Sequence, residues 1–293
     1  MAKRGLVVEG GGMRGIYAAG VLDVLMENQI GFDGVIGVSA GAIFGSSFVS
    51  GQHGRSIRFY KKYCGDERFM SFKSLIKTGS IIGTQFCYHD LPETLDPFDY
   101  EAFEKSQTKF YVTCTNLETG KAEYMEITDM KKQMDLMRAS ASLPCVSEIV
   151  EYEGKKLLDG GCTDSIPVRA FQRMGYEKNV VVLTRHDGYV KEPQKMFLPN
   201  IIYRKYPRFC YALSKRHIRY NRTTEDIRKQ QEKGKIFVIC PSMELKIPRL
   251  TKNAEEIQAV YDIGRQDALK ALQPLKVWLE DGMSALQGQN DKL

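Results

Sequence analysis

Three short stretches carry residue types and spacings that could do chemistry together. The first is Gly37-Val38-Ser39-Ala40-Gly41. A serine hydroxyl becomes a useful nucleophile once a base takes its proton. In a strand–Gly-x-Ser-x-Gly–helix turn, the flanking glycines relieve crowding and the serine is held at the strand's carboxyl end. Val35-Ile36 before Ser39 and the small residues after it supply that context. The second stretch is Glu9-Gly10-Gly11-Gly12-Met13-Arg14-Gly15. Consecutive glycines let several backbone N–H groups face one point, and a following helix adds the partial positive charge of its N-terminus. Such a nest suits a phosphate or the oxyanion of a tetrahedral intermediate. The third is Asp159-Gly160-Gly161, a carboxylate on a sterically open turn. Held within hydrogen-bond reach of a serine in a poorly hydrated site, a carboxylate can orient and deprotonate the hydroxyl.

Two rival chemistries compete for these residues. Gly10, Gly12 and Gly15 also satisfy G-x-G-x-x-G, the phosphate turn of a Rossmann-like dinucleotide-binding module that hydrolyses nothing. That reading requires an acidic residue near the end of the second strand, to hold a ribose. The second strand ends instead at Val38-Ser39, and Asp33 precedes it, which favours the hydrolase. The other rival is a Ser–His–Asp triad. Of His53, His89, His186 and His217, only His186 follows a strand-like run (Val180 to Leu183), and the order Ser39, Asp159, His186 is that of an α/β-hydrolase. Against it, the glycine nest lies one βαβ unit before Ser39, at the start of the chain, and Asp159 is by itself a competent partner. No His/Cys/Asp cluster has metal-ligand spacing, so neither metal nor cofactor is expected.

The elements that must position these residues alternate. Leu6–Val8 and Val35–Val38 read as buried strands, with helical spacing over 14–27 and 40–49. A helix over 54–63 follows. Residues 64–100 have no clear period but much apolar surface, and read either as an insertion forming a lid or substrate wall or as core packing. A hairpin over 109–127, a helix over 129–141 with Asp129 as its N-cap, and a hairpin turning at Glu153-Gly154 lead to Asp159. Then come a helix at 167–174, a strand at 179–184, a charged helix at 223–233, a strand at 235–240 and a long helix at 254–280 with a break or kink at Pro274. Alternation of this kind predicts a mainly parallel sheet covered on both faces.

The chain has 293 residues, enough for one large α/β domain or two small ones. Its net charge of +6 is too modest to point to nucleic acid. Seven scattered cysteines without a C-x-x-C fit reduced thiols in the cytoplasm better than a disulfide framework. The three apolar residues before Glu9 are too few for a signal peptide, and no run approaches a membrane span. Membrane contact would therefore be peripheral, at the inner face. From 203 to 222 there are seven basic residues (Arg204, Lys205, Arg208, Lys215, Arg216, Arg219, Arg222) and no acidic ones, interleaved with aromatic and aliphatic residues. Such a segment suits docking to anionic lipid. Nucleic acid is the weaker partner, and a solvated helix with its apolar side on the core is the plain alternative.

Taken together and in this order, the three motifs resemble the signature set of the patatin-like phospholipase family. Arg138-Ala139-Ser140-Ala141-Ser142-Leu143-Pro144 is similar to the segment that the family places before its aspartate strand. The resemblance covers roughly residues 5 to 185. It implies a three-layer α/β/α fold and a Ser–Asp dyad that hydrolyses acyl esters of phospholipids or related lipids. Ser39 would match the nucleophile, Asp159 the base, and the N–H groups of Gly11, Gly12 and Met13 the oxyanion hole. Gly10, Arg14, Gly15, Gly37, Gly41, Gly160 and Gly161 would support them; Glu9 stands where the family usually has Asp or Gly. His186 is then not needed. The expected organisation is a catalytic core over 4–185, a C-terminal extension over 186–281 packed on it, and a disordered tail over 282–293.

Overall fold

A computed structural model describes residues 2–248 and 250–290. Its strands are β1 (Arg4–Val8), β2 (Gly34–Val38), β3 (Lys109–Asn116), β4 (Lys121–Ile127), β5 (Val150–Tyr152), β6 (Lys155–Asp159), β7 (Lys178–Val182) and β8 (Ile236–Ile239). They form one sheet of order β5-β6-β3-β2-β1-β7-β8, with β4 also paired to β3. Neighbours from β3 through β2, β1 and β7 to β8 are parallel; β4, β5 and β6 join in antiparallel ladders.

The helices are α1 (Ile16–Glu27), α2 (Ala40–Val49), α3 (Arg55–Tyr63), α4 (Phe72–Thr78), α5 (Tyr100–Lys105), α6 (Met134–Ser140), α7 (Val168–Arg173), α8 (Phe197–Ile202), α9 (Pro207–Ser214), α10 (Arg216–Glu232) and α11 (Ala254–Asn290). Side chains alternate across a strand, and the two faces of the sheet enter different cores. Leu6, Val8, Val35, Val180 and Val182 pack with Ile16, Phe44 and Ile257 of α1, α2 and α11. Val7, Ile36 and Val181 pack with Phe171, Tyr220 and Ile227 of α7 and α10. These are the three layers expected. β1, β2 and β7 are apolar on both faces because both are covered.

The chain after residue 185 makes contact with the part before it. β8 extends the sheet beside β7, and α11 lies on α1, where the Tyr261 hydroxyl donates to Asp23 Oδ2 at 2.7 Å. α11 passes through Pro274 and continues to Asn290, into the segment expected to be a tail; residues 291–293 lie outside the described residues.

Some local expectations differ. The helix expected over 129–141 begins only at Met134, and Asp129 caps the turn before it, accepting from the Lys132 N–H at 3.0 Å. Gln133 Oε1 takes the N–H groups of Thr128 and Asp129 and so folds this turn ahead of the helix. α10 begins seven residues before the expected Thr223, at Arg216. Residues 64–100 contain α4, a π-helical stretch at Phe86–Leu95 and a bridge from Met70 to Ile82. Most of their apolar surface packs inward: Phe69, Phe86, Tyr88 and Leu91 are core, whereas Phe72 and Ile76 of α4 stay exposed.

Candidate active site

The site is assembled by strand register. β2 is paired with the first part of β3, Val38 lying opposite Thr113. β6 runs antiparallel along the last part of β3, Asp159 lying opposite Cys114. β2 and β6 therefore point at each other along the same strand and end on adjacent residues of it. The residue after Val38 is Ser39, so Ser39 and Asp159 meet although they are far apart in sequence.

Ser39 occupies a tight elbow. Its φ is 56° and its ψ −124°, a region costly for a residue with a Cβ, of order 1–3 kcal/mol. The elbow is held from both sides: the Ser39 N–H donates to Ser140 Oγ at 3.0 Å, and Ser140 Oγ in turn donates to the Thr113 carbonyl at 2.8 Å. The Ser39 carbonyl accepts from Ala42 and Ile43 and starts α2. Crowding explains the flanking glycines. A methyl on Gly41 would come 2.5 Å from the Val8 carbonyl oxygen, and one on Gly37 the same distance from Ala42 Cα.

Asp159 is buried. Its Oδ1 accepts from the Gly161 N–H at 2.7 Å, while its Oδ2 is buried and accepts no hydrogen bond. Burial holds the carboxyl above the usual carboxylate range; the nearby Ser39 hydroxyl, the Arg216 charge and the Gly161 N–H pull partly the other way. The Ser39 hydroxyl is thus close enough to be felt but not engaged in a hydrogen bond of ordinary geometry. Gly160 crosses directly over β3, with no room for a side chain beside the Thr113 carbonyl. The Thr115 hydroxyl donates to the Asp159 carbonyl at 2.9 Å and fixes the turn.

The glycine loop closes the third side. Gly12–Gly15 form a 3₁₀ turn that runs into α1, with Gly11 as its N-cap. The first turn of a helix leaves its N–H groups without intrahelical partners, and Gly12, at φ +55°, is open to solvent. Met13 and Gly15 are buried, and Arg14 is half-buried. Gly10 lies against Ser39 itself: a methyl on it would sit 3.1 Å from Ser39 Cβ and 2.8 Å from the Val38 carbonyl oxygen. All the residues expected at the site are therefore gathered at one end of the sheet.

His186 is not drawn in. Its Nδ1 lies 2.7 Å from the Asp187 carbonyl and its ring sits edge-on to Tyr189, and no hydrogen bond joins it to Ser39 or Asp159. Among the described residues no His/Cys/Asp/Glu group could hold a metal ion. Residues that the motifs did not reveal are Ser140 and Thr113, which hold the elbow, and a buried network under the glycine loop. In that network Glu9 Oε2 accepts from the Thr184 N–H at 2.6 Å and Oε1 from the Tyr220 hydroxyl at 2.8 Å. Burial raises the Glu9 carboxyl above its ordinary range. Ser140 lies inside a segment with family resemblance, which was its only signal; Tyr220 had none.

Fold and site define a three-layer α/β protein with an elbow serine beside a buried carboxylate and a glycine-rich anion nest. A family model described as patatin-like phospholipase matches residues 6–171, and the chain belongs to that family. A domain of unknown function, DUF6363, matches residues 206–280. The chain is 27% identical over 272 residues to YjjU, an uncharacterized protein of Escherichia coli (strain K12), covering 89% of this chain and 74% of YjjU. It is 27% identical over 183 residues to lysophospholipase NTE1 of Meyerozyma guilliermondii and 31% identical over 176 residues to lysophospholipase nte1 of Emericella nidulans. These two matches take in 61% and 58% of this chain but only 12% and 11% of the fungal proteins. Among solved structures, VipD from Legionella pneumophila aligns with a TM-score of 0.45 at 14% identity, over 94% of this chain and 67% of that one.

Proposed function

We propose that the protein is a serine acyl hydrolase that cleaves carboxylic esters of lipids, of phospholipase A or lysophospholipase type, through an acyl-serine intermediate. The observation that carries this reading is the meeting of the Ser39 elbow with the unpartnered Oδ2 of Asp159 in a buried site. Family membership supports it, as do the lysophospholipase names of the fungal relatives. Ser39 attacks the ester carbonyl while Asp159 accepts its proton. The N–H groups of Gly11, Gly12 and Met13 receive the developing oxyanion, each such donor being worth roughly 3 kcal/mol. Protonated Asp159 returns its proton to the leaving alcohol, and water then hydrolyses the acyl-Ser39. The raised affinity of Asp159 for protons suits both halves of this cycle. A fluorophosphonate probe with peptide mapping tests the reading directly: the label is expected on Ser39, and a fully active protein that stays unlabelled there would refute it.

An apolar cavity of about 80 Å³ suits the acyl chain. It is walled by α2, α3, α6 and residues 69–98, with Ile43, Phe59, Tyr88, Met134 and Met137 among its lining, and α2 and α6 both run up to the elbow. Methionines let such a cavity adapt to chains of different shape. Gly10→Ala should lower turnover of a p-nitrophenyl ester by about 10²-fold, because a displacement of the nucleophile by a fraction of an ångström to an ångström costs that much. Circular dichroism should stay unchanged; wild-type turnover in a folded Gly10→Ala protein would mean that Ser39 is not the attacking group.

Membrane contact is the second part of the proposal. No helix among the described residues is long and apolar enough to cross a membrane. Within 203–222, Tyr203, Phe209, Leu213 and Tyr220 are buried, so most of the aromatic signal belongs to the core. Arg204, Lys205, Arg208, Lys215 and Arg222 are exposed, with Tyr211 among them. Just before them α8 exposes Phe197 (81%), Leu198 (53%), Ile201 (54%) and Ile202 (47%). Apolar residues rimmed by cations suit an anionic bilayer surface. Flotation with vesicles containing phosphatidylglycerol is expected to recover the protein, and Phe197→Ser with Ile201→Ser to reduce recovery at least several-fold. Equal recovery with neutral and anionic vesicles would remove the charge component of this contact.

A further inference from the structure

One flank of the site carries more positive charge than the structure compensates. The loop after β7 is sewn to the glycine loop by the Thr184–Glu9 hydrogen bond and by a contact of the Thr184 hydroxyl with the Gly10 carbonyl. It brings up Arg185, whose guanidinium carbon lies 4.0 Å from the centre of the Tyr189 ring, and Lys191, whose Nζ lies 4.3 Å from the centre of the Tyr220 ring. The Lys191 backbone is clamped to α10 by the Asn221 side chain, at 2.8 and 3.0 Å. Arg216, the first residue of α10, donates from Nε to the Gly161 carbonyl, two residues after Asp159. Arg14 stands on the glycine loop, where the charges of Arg185 and Glu9 act on it.

None of these four cations makes an ion pair, and the Nε atoms of Arg14 and Arg185 are buried without an acceptor. Two carboxylates face these cations: Glu9 is already occupied by Thr184 and Tyr220, and Asp159, whose carboxyl feels the Arg216 charge, accepts the Gly161 N–H through Oδ1. Burial and the charges of Arg216, Arg185 and Arg14 bring the Lys191 ammonium down to about 8, with Glu9 opposing. Half-buried guanidinium groups with free donors are matched by a multiply charged oxyanion, because their planar forks meet phosphate oxygens pairwise. Arg185 and Lys191 come from the loop after β7, whereas the apolar cavity is walled by α2, α3, α6 and residues 69–98 and shares no residue with this group.

We propose that Arg185, Lys191 and Arg216, beside Arg14, form a subsite for a phosphoryl group on the alcohol side of the ester, so that the preferred substrates are acyl esters of phosphorylated alcohols. This rests on the reading of Ser39 as an acyl hydrolase. All three residues, Arg185, Lys191 and Arg216, lie beyond the matched patatin-like segment, and Arg216 lies on the C-terminal segment matched by DUF6363. The C-terminal part of the chain would thus contribute to substrate choice as well as completing the sheet.

The test compares a short-chain 1-acylglycerol 3-phosphate with the 1-acylglycerol of the same chain, both kept monomeric so that bilayer charge plays no part. Wild type is expected to favour the phosphorylated ester at least tenfold in kcat/KM. Lys191→Ala and Arg185→Ala should each reduce that ratio about tenfold, through KM, and Lys191→Arg should restore most of it. A fold defect would lower both substrates together and leave the ratio unchanged. Inorganic phosphate is the second arm. Inhibition of the phosphorylated ester's turnover that weakens in Lys191→Ala supports the subsite; inhibition without any substrate preference would assign the cluster to free phosphate and overturn the headgroup proposal. Equal kcat/KM for the two esters with no phosphate inhibition would overturn the subsite altogether. Fluorophosphonate labelling of Ser39 separates the two levels: a labelled Ser39 without preference removes only the subsite, and an active but unlabelled protein removes the hydrolase reading beneath it.

Discussion

Replacing Ser39 with alanine is expected to lower ester turnover by about 10⁴- to 10⁶-fold, the range seen when the nucleophile of a covalent mechanism is removed and only the oxyanion donors and binding remain. The protein should remain folded. The Ser39 hydroxyl makes no hydrogen bond that alanine would break, and the bond that holds the elbow, from its N–H to Ser140 Oγ, belongs to the backbone. The strained φ of 56° is retained by alanine, so stability should change by less than about 1 kcal/mol. Ser39→Gly separates strain from chemistry: it should be equally inactive yet more stable, by roughly 1 kcal/mol or more, because glycine adopts this conformation freely. Steady-state turnover, probe labelling and thermal melts of the three proteins check these statements together. A Ser39→Ala protein with more than a hundredth of wild-type turnover would require another nucleophile.

Asp159→Asn is the second large effect, about 10⁴-fold in kcat, by analogy with loss of the carboxylate from other serine sites. Its stability should move in the opposite direction. Burial raises the folded carboxyl above its ordinary value of 3.8, so the folded protein binds more protons than the unfolded chain in the window just above that value. Stability then falls as pH rises through the window. Where the wild-type carboxyl is ionised it is a buried carboxylate with one oxygen unpartnered, a cost that the neutral asparagine avoids while still accepting from the Gly161 N–H. The variant is therefore expected to melt higher than wild type above the pH at which the carboxyl ionises, with the difference shrinking as pH falls and the carboxyl takes up its proton. The acid limb of the wild-type rate profile should lie above the ordinary carboxylate range for the same reason. An Asp159→Asn protein that melts lower than wild type at neutral pH would show that the carboxylate is stabilised by its surroundings rather than held at a cost for chemistry.

Most of the core was legible in the sequence because its signals are local. β1 and β2 are short β-branched runs, each followed by a glycine-rich turn and a helical period, and such a unit admits few packings. The motifs around Ser39, Gly10–Gly15 and Asp159 were legible because crowding restricts residue type: close backbone approaches exclude any side chain at Gly41 and Gly160. Where non-local partners decided, the sequence misled. Helix propensity extends back to Asp129, but the Gln133 side chain ties up two N–H groups ahead of it and delays α6 to Met134. The segment 203–222 read either as a docking surface or as a helix with its apolar side on the core, and tertiary packing took Tyr203, Phe209 and Tyr220 into the core.

The sequence by itself determined the chemical inventory: an elbow serine, a glycine nest, a carboxylate on an open turn, and the order of strands and helices that carries them. Spacing along a chain does not state distance in space, so only the tertiary structure could decide which carboxylate meets Ser39. It did so through register, with β2 and β6 ending on adjacent residues of β3, while His186 turned toward Asp187 and Tyr189. The same holds for charge. Arg14, Arg185, Lys191 and Arg216 come from separate stretches, and only folding the C-terminal segment over the sheet gathers them beside the site, where burial removes the water that would otherwise have screened them.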